Sequence, residues 1–383
     1  MMRNVVNPFR YGGVVGEDSF CNRKTELADI LRAIENGERL FLFSERRMGK
    51  TSLVRLALSR LAKKDYLGAY VDLWPTDSEK AFVTATARAL AEATATRPDR
   101  MLDAAKALFP QFSPVLTVDE TGKPLVRFDL VPRRLPERVL EDVLSAPAKI
   151  AQKHAKRVVV VFDEFQQILQ YGDDHVERSL RSAIQSQDRV AYIFLGSQKH
   201  VMQRMVLDRA SPIYRAGSHY PLRPIAASEW LPFIRSRFED SDRHIRKAEV
   251  EMICTLCGGH PFYTQHLSHA LWEICAPGET VTDDLVRAAL DLLLDRESQA
   301  CTALWDSLTG PQRRLLASLA ANGETGEIYS TAFREEHSLG APSTVQRAVA
   351  ALLQRDLVDR SNGSYVVADR FFRLWILRNS RAW

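Results

Sequence analysis

The sequence predicts an α/β protein: a parallel sheet sandwiched by helices, then a helical segment, then a small C-terminal unit of three helices and a hairpin. Three observations carry that expectation. Within Arg39–Ala57 (RLFLFSERRMGKTSLVRLA) a short apolar strand runs into a tight Gly-Lys-Thr loop and an amphipathic helix. Arg157–Glu164 (RVVVVFDE) is β-branched and apolar without alternation, as a strand covered on both faces must be, and it ends in two carboxylates. From Ser228 onward strand signals stop and helical spacing takes over, until an Asn-Gly turn near the C-terminus.

Length and composition leave room for two or three domains with separate cores: 383 residues, 45% hydrophobic and 26% charged. The formal net charge of +4 is too small to announce a nucleic-acid partner by itself. Nowhere do about 18 apolar residues run together, so no membrane span is expected. Met1–Tyr11 lacks the apolar centre of a secretory signal. A cytoplasmic chain with reduced thiols follows as the expectation. Cys254 and Cys257 form a lone C-x-x-C on a helical pattern, which reads as buried thiols rather than a zinc or redox pair.

In chain order, Asn7–Gly16 (NPFRYGGVVG) reads as an ordered loop and Phe20–Asn36 as a helix closed by Gly37. Leu40–Phe43 is the first strand, Ser44–Gly49 the loop, and the next helix starts at Lys50. Tyr66–Leu73 is a second strand and Glu79–Thr94 an alanine-rich helix. Pro98–Pro132 reads as an irregular insertion carrying a hairpin, Pro114–Val118 and Leu125–Leu130 flanking Asp119–Lys123. Leu135–His154 is a helix; Arg157–Glu164, Val190–Gln198 and Tyr220–Leu222 are further strands. Helices follow over Ser228–Glu239, Lys247–Leu256, His260–Ile274 and Val281–Ser298, punctuated by Pro224, Gly258-Gly259 and Pro277-Gly278. The expected domains are therefore 1–224 for the sheet, with its insertion at 98–133, then 225–298 for a helical lid. The remainder, 299–383, has helices at Gly310–Ala321, Ser330–His337 and Pro342–Leu353. A wing at Arg360–Val367, turning at Asn362-Gly363, completes a winged helix-turn-helix.

The chemistry concentrates in two places. The spacing G-x-x-x-x-G-K-[ST] is met from its second position, with Gly49, Lys50 and Thr51 in place and Ser44 where the first Gly would stand. A strand ending in a compact loop at a helix N-terminus turns backbone N–H groups into one concavity suited to phosphate oxygens. Ser44, Arg46, Arg47, Met48, Gly49, Lys50, Thr51 and Ser52 would line it, Lys50 reaching the β/γ-phosphates and Thr51 ligating Mg²⁺. A side chain at Ser44 would crowd the turn. The second place is the end of RVVVVFDE, where Asp163 would hold Mg²⁺ and Glu164 would polarise an attacking water.

Other positions carry two readings each. Asp72 is a strand-end ligand or a capping carboxylate. Ser197 or Gln198 stands beside a γ-phosphate or caps a helix. Arg215 contacts that phosphate, in cis or in trans, or is a solvated surface arginine. His260 faces a nucleotide or caps the helix opened by Pro261. In the winged helix, Ser343, Thr344, Gln346 and Arg347 lie where such folds place base-reading side chains. Yet Cys301–Trp383 holds ten Arg and no Lys against eight acidic residues, thin for counterion release, so DNA binding and protein docking both stand.

Taken together, NPFRYGG, FCNRKTEL, ERRMGKTSL, VVVVFDEFQ, FLGSQ, SPIYRA, GGHPFY, APSTVQRAVAALLQRDLV and DRFFRLWI resemble the archaeal-type ATPase family of P-loop proteins. That family is allied to the AAA+ enzymes and to the signal-transduction ATPases with numerous domains (STAND). The resemblance spans nearly the whole chain and implies a P-loop NTPase, AAA+-like fold with ATP and Mg²⁺ as ligands. Lys50, Thr51, Asp163 and Glu164 match the family's motif positions, while Ser44-Glu45 stands where its pattern has Gly-Pro. The first expectation is a slow ATPase acting as a nucleotide-driven switch whose lid and winged helix move with ATP. An ATP-regulated DNA-binding protein that loads or positions a partner on double-stranded DNA is the alternative, and a nucleotide-free scaffold a third. A protein client and a homo-oligomer are compatible partners, a membrane is not.

Overall fold

The apolar runs of the sequence pair as expected of strands buried on both faces. In this computed structural model they form β1 (Arg39–Phe43), β2 (Tyr66–Asp72), a hairpin of β3 (Ser113–Val118) and β4 (Pro124–Asp129), β5 (Arg157–Asp163), β6 (Val190–Gly196) and β7 (Ser218–Pro221). The description covers residues 6–13, 16, 20–62, 65–95, 98–109, 113–118, 122, 124–129, 137–361 and 363–380. Five strands make one parallel sheet in the order β2-β5-β6-β1-β7, and β3 pairs with β4 alone. Helices α1 (Lys24–Glu35), α2 (Lys50–Leu61), α3 (Glu79–Thr94), α4 (Pro98–Leu108), α5 (Glu137–His154), α6 (His175–Gln185) and α7 (Lys199–Leu207) flank it.

Residues two apart on a strand share a face. Phe41 and Phe43, Val158, Val160 and Phe162, and Tyr192 and Phe194 enter one core with residues of α3 to α7. Stacked Phe rings knit it, Phe41 on Phe194 at 4.5 Å and Phe82 on Phe162 at 5.5 Å. The intervening Leu40, Leu42, Val159 and Val161 are buried as well, toward the side where α1 and α2 pack. Helices thus cover both faces of the sheet.

Three boundaries differ from expectation for identifiable reasons. α1 starts at Lys24 rather than Phe20, because Asn22 and Arg23 take φ of 40° and 86° and a left-handed backbone cannot continue a right-handed helix. The 98–132 insertion is not irregular throughout. Pro98 sits in a first helical turn, where its missing N–H is harmless, and Ala105 packs inward from α4. β5 stops at Asp163 because Glu164 is left-handed at φ 53°, and a 3-10 turn over Phe165–Gln170 follows. The expected turns at Asp119–Lys123 and Asn362-Gly363, and the start of the Leu135–His154 helix, fall partly outside the described residues.

By its contacts the chain divides into two units. One is the sheet unit, Arg23–Arg46 with Lys50–Leu222; the other takes the chain up to Asn22, Arg47–Gly49 and everything from Arg223. The second unit holds α8 (Ala227–Glu239), α9 (Lys247–Cys257), α10 (Pro261–Ile274), α11 (Asp283–Arg296), α12 (Ser298–Asp306), α13 (Gly310–Asn322), α14 (Thr331–Glu336) and α15 (Pro342–Gln354). A hairpin of β8 (Val358–Ser361) and β9 (Ser364–Val367) and a last helix, α16 (Arg370–Ser380), complete it. Gly258 and Gly259, at φ 61° and 63°, swing the chain from α9 into α10. His260 stands at the cap position of α10, but its side chain makes no capping bond and lies buried against Tyr263.

The segment NPFRYGG is tied to α10 by hydrogen bonds, Asn7 Nδ2 to the His269 carbonyl at 3.1 Å and the Arg10 N–H to Gln265 Oε1 at 3.3 Å. Tyr11 stacks on His266 at 3.8 Å. The C-terminal aromatics are core: Phe371, Phe372 and Trp375 are buried, and Phe371 meets the Tyr263 ring at 5.0 Å. Cys254 and Cys257 are buried free thiols, with burial pushing Cys254 up to about 11.

Gly217 brings the chain onto the sheet edge beside β1. A Cβ there would sit 2.1 Å from the Arg39 carbonyl oxygen, a backbone atom that cannot swing aside. Gly217→Ala is expected to destabilise the chain by about 1–3 kcal/mol, the usual cost of overpacking, read as a lower midpoint in urea unfolding.

Candidate nucleotide-binding site

The loop between β1 and α2 is shaped by two left-handed residues, Arg47 at φ 59° and Gly49 at φ 86°. Ser44 is not one of them, so the turn does not demand glycine at that position. Its buried hydroxyl instead has a partner. Lys50, only 5% exposed, donates from Nζ to Ser44 Oγ at 3.0 Å, the Ser44 carbonyl at 3.3 Å and the Glu45 carbonyl at 2.9 Å. Burial pushes the Lys50 ammonium down to about 8, against the pull of Glu164, Asp163 and Glu45. The expected crowding at Ser44 is thus replaced by a hydrogen bond to the cation.

The sheet brings the acidic strand to the same place. Asp163 Oδ2 accepts from Thr51 Oγ1 at 2.8 Å and also from the Tyr70 hydroxyl, while Oδ1 accepts the Glu164 N–H at 2.9 Å. Tyr70 comes from β2, with the Arg55 guanidinium over its ring at 4.5 Å. Burial first, then Asp163, raises the phenol above its ordinary range. Left-handed Glu164 turns its carboxylate toward β6, where Oε2 accepts from Ser197 Oγ at 2.6 Å and Gln166 Nε2 at 2.5 Å. Gln166 Oε1 is buried with no hydrogen-bond partner among the described residues.

This donor set fits a magnesium nucleotide. Thr51 and Asp163 present hard oxygens within hydrogen-bond distance of each other, the kind Mg²⁺ takes. Lys50 is a buried cation resting on oxygens of its own loop, which phosphate oxygens could replace. Gly49, just ahead of the α2 N-terminus, has open space where a Cβ would stand, leaving the backbone approachable.

The remaining sequence candidates are placed as follows. Exposed Arg46 lies over the Trp74 ring at 5.7 Å, and exposed Arg47, grouped with the second unit, lies over Phe262 at 4.3 Å. Met48 and Ser52 are buried. Ser197, not Gln198, reaches Glu164; Gln198 stands at the start of α7, where its carbonyl accepts from Val201 and Met202. Asp72 closes the turn after β2, accepting the Trp74 N–H at 3.0 Å, and caps no helix; Ser78 caps α3. Arg215 is exposed and left-handed, its guanidinium 5.3 Å from the neighbouring Tyr214 ring. On α15, Ser343, Gln346 and Arg347 are exposed and Thr344 half-buried, while Val345, Val349 and Leu352 face inward. Tyr70 and Gln166 escaped the sequence reading. Tyr70 looks like any strand aromatic until the register sets Asp72 beside Asp163, and Gln166 becomes visible only once Glu164 breaks the strand.

A family model described as an ATPase domain predominantly from Archaea matches residues 20–267, and another, a probable winged helix domain, matches 299–378. Among solved structures, the Walker-type ATPase of Pyrococcus abyssi is similar at 16% identity and a TM-score of 0.64, over 94% of this chain and 97% of that one. The Aeropyrum pernix ORC2 protein, in its ADPNP–ADP complexes, is similar at 16% identity and a TM-score of 0.51, over 95% and 96%. At these identities the likeness is one of fold. No curated protein matches the chain. Among the described residues no helix is long and apolar enough to cross a membrane.

Phosphate oxygens at the Lys50 ammonium would compete with the Ser44 hydroxyl for it. A hydrogen bond to a charged group contributes about 1.5–3 kcal/mol. Ser44→Gly is therefore expected to lower the melting temperature of the nucleotide-free chain. A non-hydrolysable ATP analogue should then raise that temperature by more than it does in wild type, as read by differential scanning fluorimetry.

Proposed function

This chain belongs to the family of ATPase domains predominantly from Archaea, and on that premise we propose that it binds ATP with Mg²⁺ at the Ser44–Thr51 loop and hydrolyses it slowly. The observation that carries this reading is the hydrogen bond from Thr51 at the start of α2 to Asp163 at the end of β5. Lys50 would move from its loop oxygens to the β- and γ-phosphates. Thr51 and Asp163 would hold the cation, which when bound supplies Lewis-acid charge on the phosphate oxygens. Glu164 would leave Ser197 and Gln166 to accept hydrogen from the attacking water. Until then its carboxylate is occupied, which suits a slow enzyme. Arg215, exposed, would contact the γ-phosphate in cis or across an assembly of copies of this chain.

A switch of the AAA+/STAND kind is the finer proposal, with 1–224, 225–298 and 299–383 as its working domains in a cytoplasmic setting. A ligand shifts such an equilibrium only through unequal contacts with its two states.

Two outcomes test the site. Lys50→Ala should abolish binding of a non-hydrolysable ATP analogue in calorimetry, since it removes the cation that faces the phosphates. Glu164→Gln should keep that binding and cut turnover by about 10²–10⁴-fold, because an amide cannot accept the proton. Equal affinity in wild type and Lys50→Ala would refute the assignment.

The exposed face of α15 supports a second reading, ATP-regulated binding of duplex DNA. Arg347 is exposed, with Nε folded back on the Ser343 carbonyl at 3.3 Å and available to swing outward. Arg347→Ala should weaken duplex binding by about 1–3 kcal/mol if it reads a base. A phosphate contact would give a smaller, sequence-independent loss and a shallower salt slope. Fluorescence anisotropy at two salt concentrations, with and without ATP, separates these. No salt-sensitive binding by the wild type would leave protein docking as the role of this unit.

A further inference from the structure

Asp163 is the most heavily shared carboxylate of the site. Hydroxyls from Thr51 and Tyr70 converge on Oδ2, and the Glu164 N–H takes Oδ1. A carboxylate offers about four lone-pair positions, so three are occupied before any cation arrives. The Thr51 bond is compatible with a metal: the hydroxyl can donate its hydrogen to Asp163 and turn a lone pair to the ion. Tyr70 differs. Its neutral phenol draws on the same oxygen and sits on a strand rather than in the phosphate loop.

Its placement follows from the sheet. β2 and β5 run parallel in a register that sets Tyr70 level with Val161 and Asp72 level with Asp163. Tyr70 and Asp72 share a face, two residues or roughly 6.6 Å apart along the strand. A tyrosine is long enough to span that rise to the carboxylate, and a shorter polar side chain is not. Arg55, from α2, lies across the ring at 4.5 Å and holds it by cation–π attraction. A phenylalanine would fill the same space and keep the same stack, so packing alone does not call for the hydroxyl.

We propose that Tyr70 sets the cation dependence of this site, its hydroxyl competing with hydrated Mg²⁺ for Asp163 Oδ2. The proposal rests on Asp163 being the magnesium carboxylate, as argued above. Nucleotide then engages Lys50 with little help from the cation, and full coordination waits for Tyr70 to turn away from Asp163. Removing the hydroxyl leaves the carboxylate's charge less satisfied and strengthens its hold on the hydrated ion.

The test titrates the full chain with a non-hydrolysable ATP analogue by calorimetry, once with excess Mg²⁺ and once with EDTA. Wild type, Tyr70→Phe, Arg55→Gln and Lys50→Ala are compared. In EDTA, Tyr70→Phe should bind as wild type does, within about twofold. The gain in affinity on adding Mg²⁺ should be about ten- to a hundredfold larger in Tyr70→Phe, the worth of one released hydrogen bond to a charged group. Arg55→Gln keeps the phenol and loosens it, so the gain should rise there too, by less; it decides the matter if Tyr70→Phe does not fold. A magnesium gain equal to or below that of wild type, with binding still dependent on Lys50, overturns the role of Tyr70 alone. Absence of analogue binding by the wild type, or equal binding by Lys50→Ala, overturns the site assignment on which the proposal rests.

Discussion

An ammonium group buried at the root of α2 governs the rest of the phosphate loop. Taking a cation out of water costs several kcal/mol unless oxygens replace the hydration shell. Lys50 finds three, two of them backbone carbonyls of Ser44 and Glu45. Those carbonyls can face inward only if the loop curls back on itself, which the left-handed Arg47 and Gly49 allow. A left-handed arginine stores about 1–2 kcal/mol of backbone strain. The loop is therefore held in a phosphate-ready curl by its own lysine, and phosphate oxygens would inherit a cavity already organised around positive charge.

The same economy of partners extends to the acids. Asp163 is occupied by Thr51, Tyr70 and a backbone N–H, and Glu164 by Ser197 and Gln166. Each group that a nucleotide, a cation or a water would need is satisfied locally. Such a site is stable without ligand, and ligand binding becomes an exchange of hydrogen bonds rather than a gain of new ones. The likeness to ATPase structures speaks to the fold that presents these groups; the exchange is a matter of the side chains of this chain.

Much of this was legible in the sequence because burial on two faces leaves a plain signature. The strands of VVVVF and YIFL, the Gly-Lys-Thr turn and the helix of Glu79–Thr94 lie where the residue pattern puts them. The misses have two main causes: side-chain partners depend on how the chain folds back, and residue type does not announce backbone handedness. Ser44 reads as a misfit beside glycine patterns, yet it serves a lysine six residues on. Tyr70 is silent until a strand 90 residues later lies beside it, and Glu164 reads as the end of a strand until its positive φ is known. Asn22 and Arg23 displace the start of α1 for the same local reason, a backbone handedness that residue type does not announce. The insertion helix α4 was hidden by Pro98, a residue disfavoured in helix interiors but tolerated in the first turn, where it stands.

The sheet order has a temporal meaning. β1, with its loop, and β5, with its acids, are never hydrogen-bonded to each other; β6 lies between them and pairs with both. During synthesis the loop is complete by Thr51 and the acids, on a strand that β2 already pairs, by Glu164, yet the two share no framework until Val190–Gly196 has left the ribosome. β6 is thus a keystone, apolar along its whole length and buried at every residue. Its late arrival closes the long chain loop back to β1, and long loops delay folding more than they weaken the folded state. A nascent chain stalled before β6 would carry every residue of the phosphate loop and both acids without possessing a site.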